Sequence, residues 1–362
     1  MKNNHGANLY DLSRKYGFSK EEFMDFSSNI NPFGASKKAK DFIINNIDIV
    51  SMYPDPEYVN LKKSISNYCK CKGENIILGS GATELISQYI KFVSPKKSLL
   101  LSPAYSEYEK ELKLVGSKID KYFNKSKENF KINVDKLIDH ISKNNYDIIV
   151  ICNPNNPTGF AFTRSELEKI LKSTDTFVMV DETYIEFTDT DIYSATQLVD
   201  EYFNLFVIRG TSKFFSTPGI RLGYGLISNN DIKDKIQSQI DLWNVNVIAS
   251  NMGEIMFSDE NYIRETVNSI GTERSYLINE LSKLNEITVY ETKGNFILCK
   301  INSNLMTAAE LRMKLIPNKI IIRDCSTFEG LGEYFFRVCI LKHEENEILM
   351  KSLNEVFFNL SK

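Results

Sequence analysis

Up to about residue 210, short and wholly apolar runs alternate with stretches whose apolar positions recur every three or four residues. The runs are Ile76-Ile77-Leu78, Leu99-Leu100-Leu101, Ile148-Ile149-Val150-Ile151-Cys152, Phe177-Val178-Met179-Val180 and Leu205-Phe206-Val207-Ile208. A strand with one wet face alternates apolar and polar side chains, so uninterrupted runs predict strands buried on both faces of a parallel sheet. Between them, residues 58–69 read as a helix. Leu85, Ile86, Tyr89, Ile90 and Val93 mark one face of another, which starts just after Gly79-Ser80-Gly81. A further helix spans 165–171, where Glu168 stands three residues after Ser165 as in a capping box. Strands alternating with helices predict an α/β fold whose large lobe is a mostly parallel sheet covered by helices.

After Tyr224 the pattern changes. Ile232, Ile236 and Ile240 trace one helix stripe, and 262–284 reads as a long helix. Strands are expected at 287–290, 296–300, 320–323 and 334–340, and a helix at 344–358 follows them. This predicts a smaller α+β lobe. The expected division is an N-terminal segment over 1–48 that packs with the small lobe, a large lobe over 49–245 and the small one over 246–362. A chain of 362 residues has room for two such lobes. A net charge of −3 without a basic block argues against a nucleic-acid surface, and no apolar run approaches a bilayer span. The first residues lack an apolar signal core, which predicts a cytoplasmic protein. Cys152, Cys299 and Cys339 lie in apolar runs, as core thiols do, and Cys69-Lys70-Cys71 has no second pair at zinc spacing. Neither a disulfide framework nor a metal is expected.

In an open α/β sheet, ligands meet residues at the carboxyl ends of the strands. Those ends carry Tyr105, Asn156, Asp181 with Tyr184, and Lys213. Lys213 follows a buried strand beside Thr211 and Ser212, and Arg221 comes just past the turn Pro218-Gly219. An amine suited to imine chemistry, beside hydroxyls and a phosphate-binding guanidinium, describes a pocket for pyridoxal 5'-phosphate. Asp181 can keep a pyridine nitrogen protonated, Asn156 and Tyr184 can donate to a phenolic oxygen, and Tyr105 can stack on the ring. Thr211, Ser212, Arg221 and the amides of Gly81 and Ala82 can hold a phosphate. Each piece also has a plainer reading: a solvated lysine, a helix-capping aspartate, a core tyrosine, an ordinary strand-to-helix turn.

In order, Asn153-Pro154-Asn155-Asn156-Pro157-Thr158-Gly159, Asp181-Glu182-Thr183-Tyr184 and Ser212-Lys213 with Arg221 resemble the fold-type I pyridoxal-phosphate enzymes. The similarity is to the class I and II aminotransferase family and covers nearly the whole chain. It implies Lys213 as the Schiff-base lysine, Asp181 as partner of the ring nitrogen, and Asn156 and Tyr184 at the phenolate oxygen. It also implies Tyr105 as the stacking residue, Arg221 as a phosphate ligand, and Arg337 as an arginine for the substrate carboxylate. A homodimer is implied too, with Tyr53 reaching the phosphate of the neighbouring subunit's cofactor.

A narrower similarity rests on four segments: His5-Gly6-Ala7-Asn8, Asp25 to Pro32 with its Asn29-Ile30-Asn31, Arg323-Asp324-Cys325, and Tyr334-Phe335-Phe336-Arg337-Val338. These resemble the threonine-phosphate decarboxylases, which make the aminopropanol phosphate unit of cobalamin and are close in sequence to the histidinol-phosphate aminotransferases. The likeness implies His5, Asn29, Arg323 and Arg337 as contacts to substrate phosphate or carboxylate. Two positions depart from it: Ala7 stands where a second glycine is expected, and Asp324 sets a negative charge beside Arg323. The implied activity is decarboxylation of L-threonine O-3-phosphate. Transamination of the histidinol-phosphate type and non-catalytic binding of the cofactor are the alternatives.

Overall fold

The computed structural model describes residues 8–302 and 306–359. In chain order its strands are β1 (Met24–Asp25), β2 (Ile76–Gly79), β3 (Lys97–Ser102), β4 (Lys118–Phe123), β5 (Ile148–Cys152), β6 (Phe177–Asp181) and β7 (Leu205–Gly210). There follow β8 (Gly223–Leu226), β9 (Ile287–Val289), β10 (Phe296–Ile301), β11 (Ile320–Ile321), β12 (Arg323–Asp324) and β13 (Phe335–Cys339). Seven of them form one sheet in the order β2-β8-β7-β6-β5-β3-β4. Within it β7, β6, β5, β3 and β4 pair in parallel, and β8 runs antiparallel to both β2 and β7.

The uninterrupted apolar runs are explained by packing on both faces. Ile149, Ile151, Val178, Val180, Leu205 and Val207 join one buried core. Their neighbours Ile148, Val150, Met179, Phe206 and Ile208 join another, because successive strand residues point to opposite faces. Burial of each such side chain contributes roughly 1.5–3 kcal/mol, so the sheet centre is held from both sides.

Two strands carry no such signature. In β8 the alternation Gly223-Tyr224-Gly225-Leu226 looks like a turn, yet a side chain at 223 would run into the backbone of Gly81 and Ala82. In β4 the charged Lys118, Asp120 and Lys121 suit an edge strand, which they guard against further pairing. The capping box expected at Ser165 and Glu168 lies two residues earlier. Thr163 accepts from the Glu166 backbone N–H, and the Glu166 carboxylate accepts from the Thr163 N–H, starting the helix Arg164–Lys172. Ile240 falls past the end of its expected helix, which is Asn230–Gln237. The helix Val247–Met256, which the periodicity did not single out, packs on the helices Lys37–Asn45 and Val59–Cys69.

The second sheet has the order β12-β13-β10-β9, all antiparallel. The single strand expected at 320–323 is split. β11 pairs in parallel with β1, while β12 turns to β13, so one short run ties the N-terminal segment to this sheet. The Phe26 carbonyl accepts from the Cys339 N–H at 2.7 Å, and the Lys213 carbonyl accepts from the Asn31 N–H at 3.0 Å. The loop from Asp25 to Gly34 is therefore pinned to both sheets. Among the described residues no helix is long and apolar enough to cross a membrane.

Candidate active site

Consecutive neighbours β7, β6, β5 and β3 end at one edge, and the residues that follow them line a cavity of about 320 Å³. Lys213, Asp181, Asn156 and Tyr105 enter it from these four strand ends, with Tyr184, Ser212 and Ala82 beside them. Arg221, Arg323 and Arg337 complete its wall.

Three asparagines follow β5, and packing decides between them. Asn153 is spent on the Phe162 N–H and on the Phe162 and Tyr193 carbonyls. Asn155 holds Thr158 and the Pro103 carbonyl. Asn156 alone of the three lines the cavity, where its Oδ1 accepts from Arg337 Nη1. Arg337 also donates to the Ser27 carbonyl at 2.8 Å, and its buried Nε has no hydrogen-bond partner among the described residues.

Asp181 is 3% exposed, and burial raises its pKa, opposed by the hydrogen bonds it accepts. Those come from the Thr183 N–H at 2.8 Å, the Thr183 hydroxyl, and the Tyr108 hydroxyl at 2.6 Å. Tyr108 was not foreseen; the one signal was its place three residues after Tyr105, on the first turn of the helix Ser106–Leu114. Lys213 Nζ donates to the Ser28 carbonyl at 2.9 Å. Burial, and after it the charges of Arg337 and Arg221, lower its pKa to about 8. Cys152, expected as a core thiol, is buried and also lines the cavity.

Below the helix Ala82–Val93, Gly81 has φ +86°, a left-handed conformation that suits glycine. Among the described residues no side chain caps this helix, so its first-turn amides keep their free donors, whereas the Gly81 N–H, also expected at the phosphate, is spent on the Gly79 carbonyl at 2.8 Å. A side chain at 81 would strike the Arg221 guanidinium, which places that group against the helix start. Arg221 itself has φ +59° and Asn29 φ +53°, strained values for residues with side chains, here at the cavity.

The remaining expected residues divide. Asn29 is fully buried behind the cavity wall, its Nδ2 3.5 Å from the Tyr184 hydroxyl, with Oδ1 unpartnered among the described residues. Thr211 is not among the lining residues; its hydroxyl donates to the Leu222 carbonyl at 3.2 Å. Tyr53 is 78% exposed and stacks on Trp243, away from the residues of this cavity. His5 lies outside the described residues. Asp324 does not line the cavity and accepts from the Ser326 N–H at 2.8 Å, while its charge still acts on Arg323, which also donates to the Thr327 hydroxyl at 3.0 Å.

The donor set fits pyridoxal phosphate: a buried carboxylate, a lysine with lowered pKa, an uncapped helix start beside a guanidinium, and a tyrosine ring. Residues 21–353 match the family described as aminotransferase class I and II. The chain is 37% identical over 357 residues to a protein of Caldanaerobacter subterraneus provisionally named threonine-phosphate decarboxylase, covering 98% of this chain and 94% of that one. It is 32% identical over 357 residues to a histidinol-phosphate aminotransferase of Methanosphaera stadtmanae, covering 98% and 96%. The crystal structure of the histidinol-phosphate aminotransferase from Clostridium acetobutylicum matches with a TM-score of 0.85 at 35% identity, over 92% of this chain and 99% of that one.

Proposed function

This chain belongs to the class I and II aminotransferase family, whose members are pyridoxal-phosphate enzymes, and from that premise we propose that it decarboxylates L-threonine O-3-phosphate. The observation that carries the reading is a pair of arginines. Arg323 and Arg337 are register partners across β12 and β13, and both line the cavity. Burial and, after it, the charge of Arg337 across this pair lower the pKa of Arg323, and an anionic substrate group between the two would relieve the repulsion. With Arg221 assigned to the cofactor phosphate, two guanidinium groups remain for a substrate with two anionic groups, a phosphate and a carboxylate.

Bound pyridoxal phosphate supplies an aldehyde for the substrate amine and an electron-poor ring that accepts the electron pair of the broken bond. The chain's own groups do the rest. Asp181 keeps a positive charge on the ring nitrogen, and Asn156 and Tyr184 donate to the phenolate oxygen. Tyr105 covers the ring, and Arg221, Ser212 and the amide of Ala82 take the phosphate, the Gly81 N–H being spent on the Gly79 carbonyl. Lys213 Nζ, with a pKa of about 8, exchanges between amine and ammonium near neutral pH and so can return a proton to the substrate's α-carbon. Arg323 and Arg337 hold the substrate, with His5 as a further expected contact, and Asn29 supports Tyr184 from behind the cavity wall; where phosphate and carboxylate are anchored decides which bond to the α-carbon breaks.

The relatives of both kinds support a second reading, transamination of the histidinol-phosphate type, in which the same arginines serve a phosphate and a keto-acid carboxylate. Carboxyl-labelled threonine phosphate separates the two. The expected result is labelled CO₂ without any keto acid. Retention of the label, with turnover strictly dependent on a keto acid, would establish the aminotransferase instead.

Tyr108 is a positioning residue, because its hydroxyl helps keep the buried Asp181 ionised. In Tyr108→Phe the acid limb of the kcat/KM profile should move up by about one pH unit, the equivalent of one charge-assisted hydrogen bond. An unmoved limb with lowered activity would reduce Tyr108 to a packing role.

A homodimer with Tyr53 at the neighbouring cofactor is also part of the proposal. Ile44, Ile47, Val50, Met52 and Tyr53 are 71%, 52%, 53%, 61% and 78% exposed in one short stretch, an apolar surface suited to a second copy. Sedimentation should show a dimer, and Tyr53→Phe should weaken cofactor retention without dissociating it; a monomer at micromolar concentration contradicts this. The six free cysteines suit the reducing cytoplasm.

A further inference from the structure

A second cavity, of about 620 Å³, lies on the other side of the strand that ends at Asp181. Asp181 lines the first cavity; Glu182, next in the chain, turns to the opposite face and pairs with Arg209, which lines the second. That pair is satisfied. The Arg209–Glu182 contact is 2.9 Å, both side chains are at most 3% exposed, and Arg209 Nη2 also donates to the Ser194 hydroxyl at 2.7 Å.

Two other ionisable groups on this cavity are not. Glu186 is 3% exposed, and neither of its carboxylate oxygens has a hydrogen-bond partner among the described residues. Among the described residues the cation in reach is Arg209, whose Nη1 stands 3.8 Å from Glu186 Oε1, too far for a hydrogen bond. Burial raises the pKa of Glu186 to about 8, with Arg209 opposing the shift and Cys69 and Glu182 adding to it. Arg274 presents the complementary deficit. It donates to the Gly294 carbonyl at 3.0 Å and to the Phe187 carbonyl at 2.7 Å, but no carboxylate lies within ion-pair distance among the described residues. Burial lowers its pKa to about 10.

A buried acid short of donors and a guanidinium short of an anion thus border one cavity, where Arg274 holds the carbonyl of Phe187, the residue after Glu186. A ligand carrying a single charge would relieve one group and leave the other. Tyr68, Ile263 and Val267 add an apolar wall, and the volume lies within the usual range for small-molecule sites, roughly 300–1,000 Å³. We propose that this cavity binds a small zwitterion of the α-amino-acid class, its ammonium on Glu186 and its carboxylate on Arg274. The site is joined to the first cavity through the chain. Glu186 lies two residues after Tyr184, and Arg274 holds Gly294, next to Asn295, whose Nδ2 donates to the Asn29 carbonyl at 3.0 Å.

The experiment uses holoenzyme carrying Arg337→Ala, which removes a carboxylate anchor from the first cavity. The twenty common L-amino acids are tested one at a time by thermal shift and calorimetry. At least one should raise the melting temperature and titrate at one site per chain. Adding Glu186→Gln or Arg274→Gln should weaken that binding about tenfold or more, as loss of a charge-assisted hydrogen bond does. The cofactor absorbance and ligand-free melting temperature report that each variant is folded, and either variant alone suffices. Absence of binding by all twenty, or binding undiminished in a folded variant, overturns the proposal. Neither result touches Lys213 or Asp181, so the reaction proposed for the first cavity would stand or fall separately.

Discussion

Lys213→Ala is expected to lower turnover by about 10⁴-fold or more, because in the proposed reaction one side chain supplies both the covalent anchor and the proton carrier. Borohydride treatment should fix the cofactor to a peptide containing position 213 in the unmodified protein and to none in the variant. Normal turnover in the variant, or cofactor fixed to another lysine, would remove the centre of the account. The geometry adds a pH dependence. Burial, then the charges of Arg337 and Arg221, bring the amine from its ordinary 10.5 to about 8. Since the neutral amine is the form that captures an aldehyde, reloading of cofactor-stripped protein should quicken as pH rises through about 8 and level off above it. A rate still climbing toward pH 10 would mean that position 213 behaves as a solvated lysine.

Asp181→Asn should cost about a hundredfold or more in kcat, the scale seen when a preorganised group aimed at developing charge is removed. The amide keeps the shape and can still meet Thr183 and Tyr108, but it carries no negative charge to hold a proton on the ring nitrogen. The cofactor should remain bound, since its phosphate anchors are untouched, while its absorbance shifts to that of the unprotonated ring. Asp181→Glu should recover part of the loss if charge is what matters. Full activity in Asp181→Asn, or no recovery in a folded Asp181→Glu protein, would move the role elsewhere.

Much of the site could be read along the chain because it is built where strands end. Each apolar run has to stop at the sheet edge, and within a few residues of its end come Tyr105, Asn156, Asp181 and Lys213, which face the same opening. Strand order was not readable in this way: β4 follows β3 in the chain but lies at the edge, and β8 inserts between β2 and β7. Glycines and charges in those two strands hide the pattern that marks the buried ones.

The residues that were missed, or could not be ranked, depend on partners far away in sequence. Tyr108 matters through an acid 73 positions on, and Arg337 through an asparagine 181 positions back. Which asparagine after β5 stays available follows from contacts to Phe162, Tyr193 and Pro103 rather than from the motif. The facing of Arg323 and Arg337 follows from the way residues 320–324 divide between two sheets.

Local chemistry along the chain was thus enough for the strand ends, for placing a lysine and an acid at one opening, and for the family. Hydrophobic burial and turn preference act over a few residues and leave their mark in order. The charge balance of the two cavities was decided only on folding, because desolvation and ion pairing depend on which distant groups share a volume that water has left.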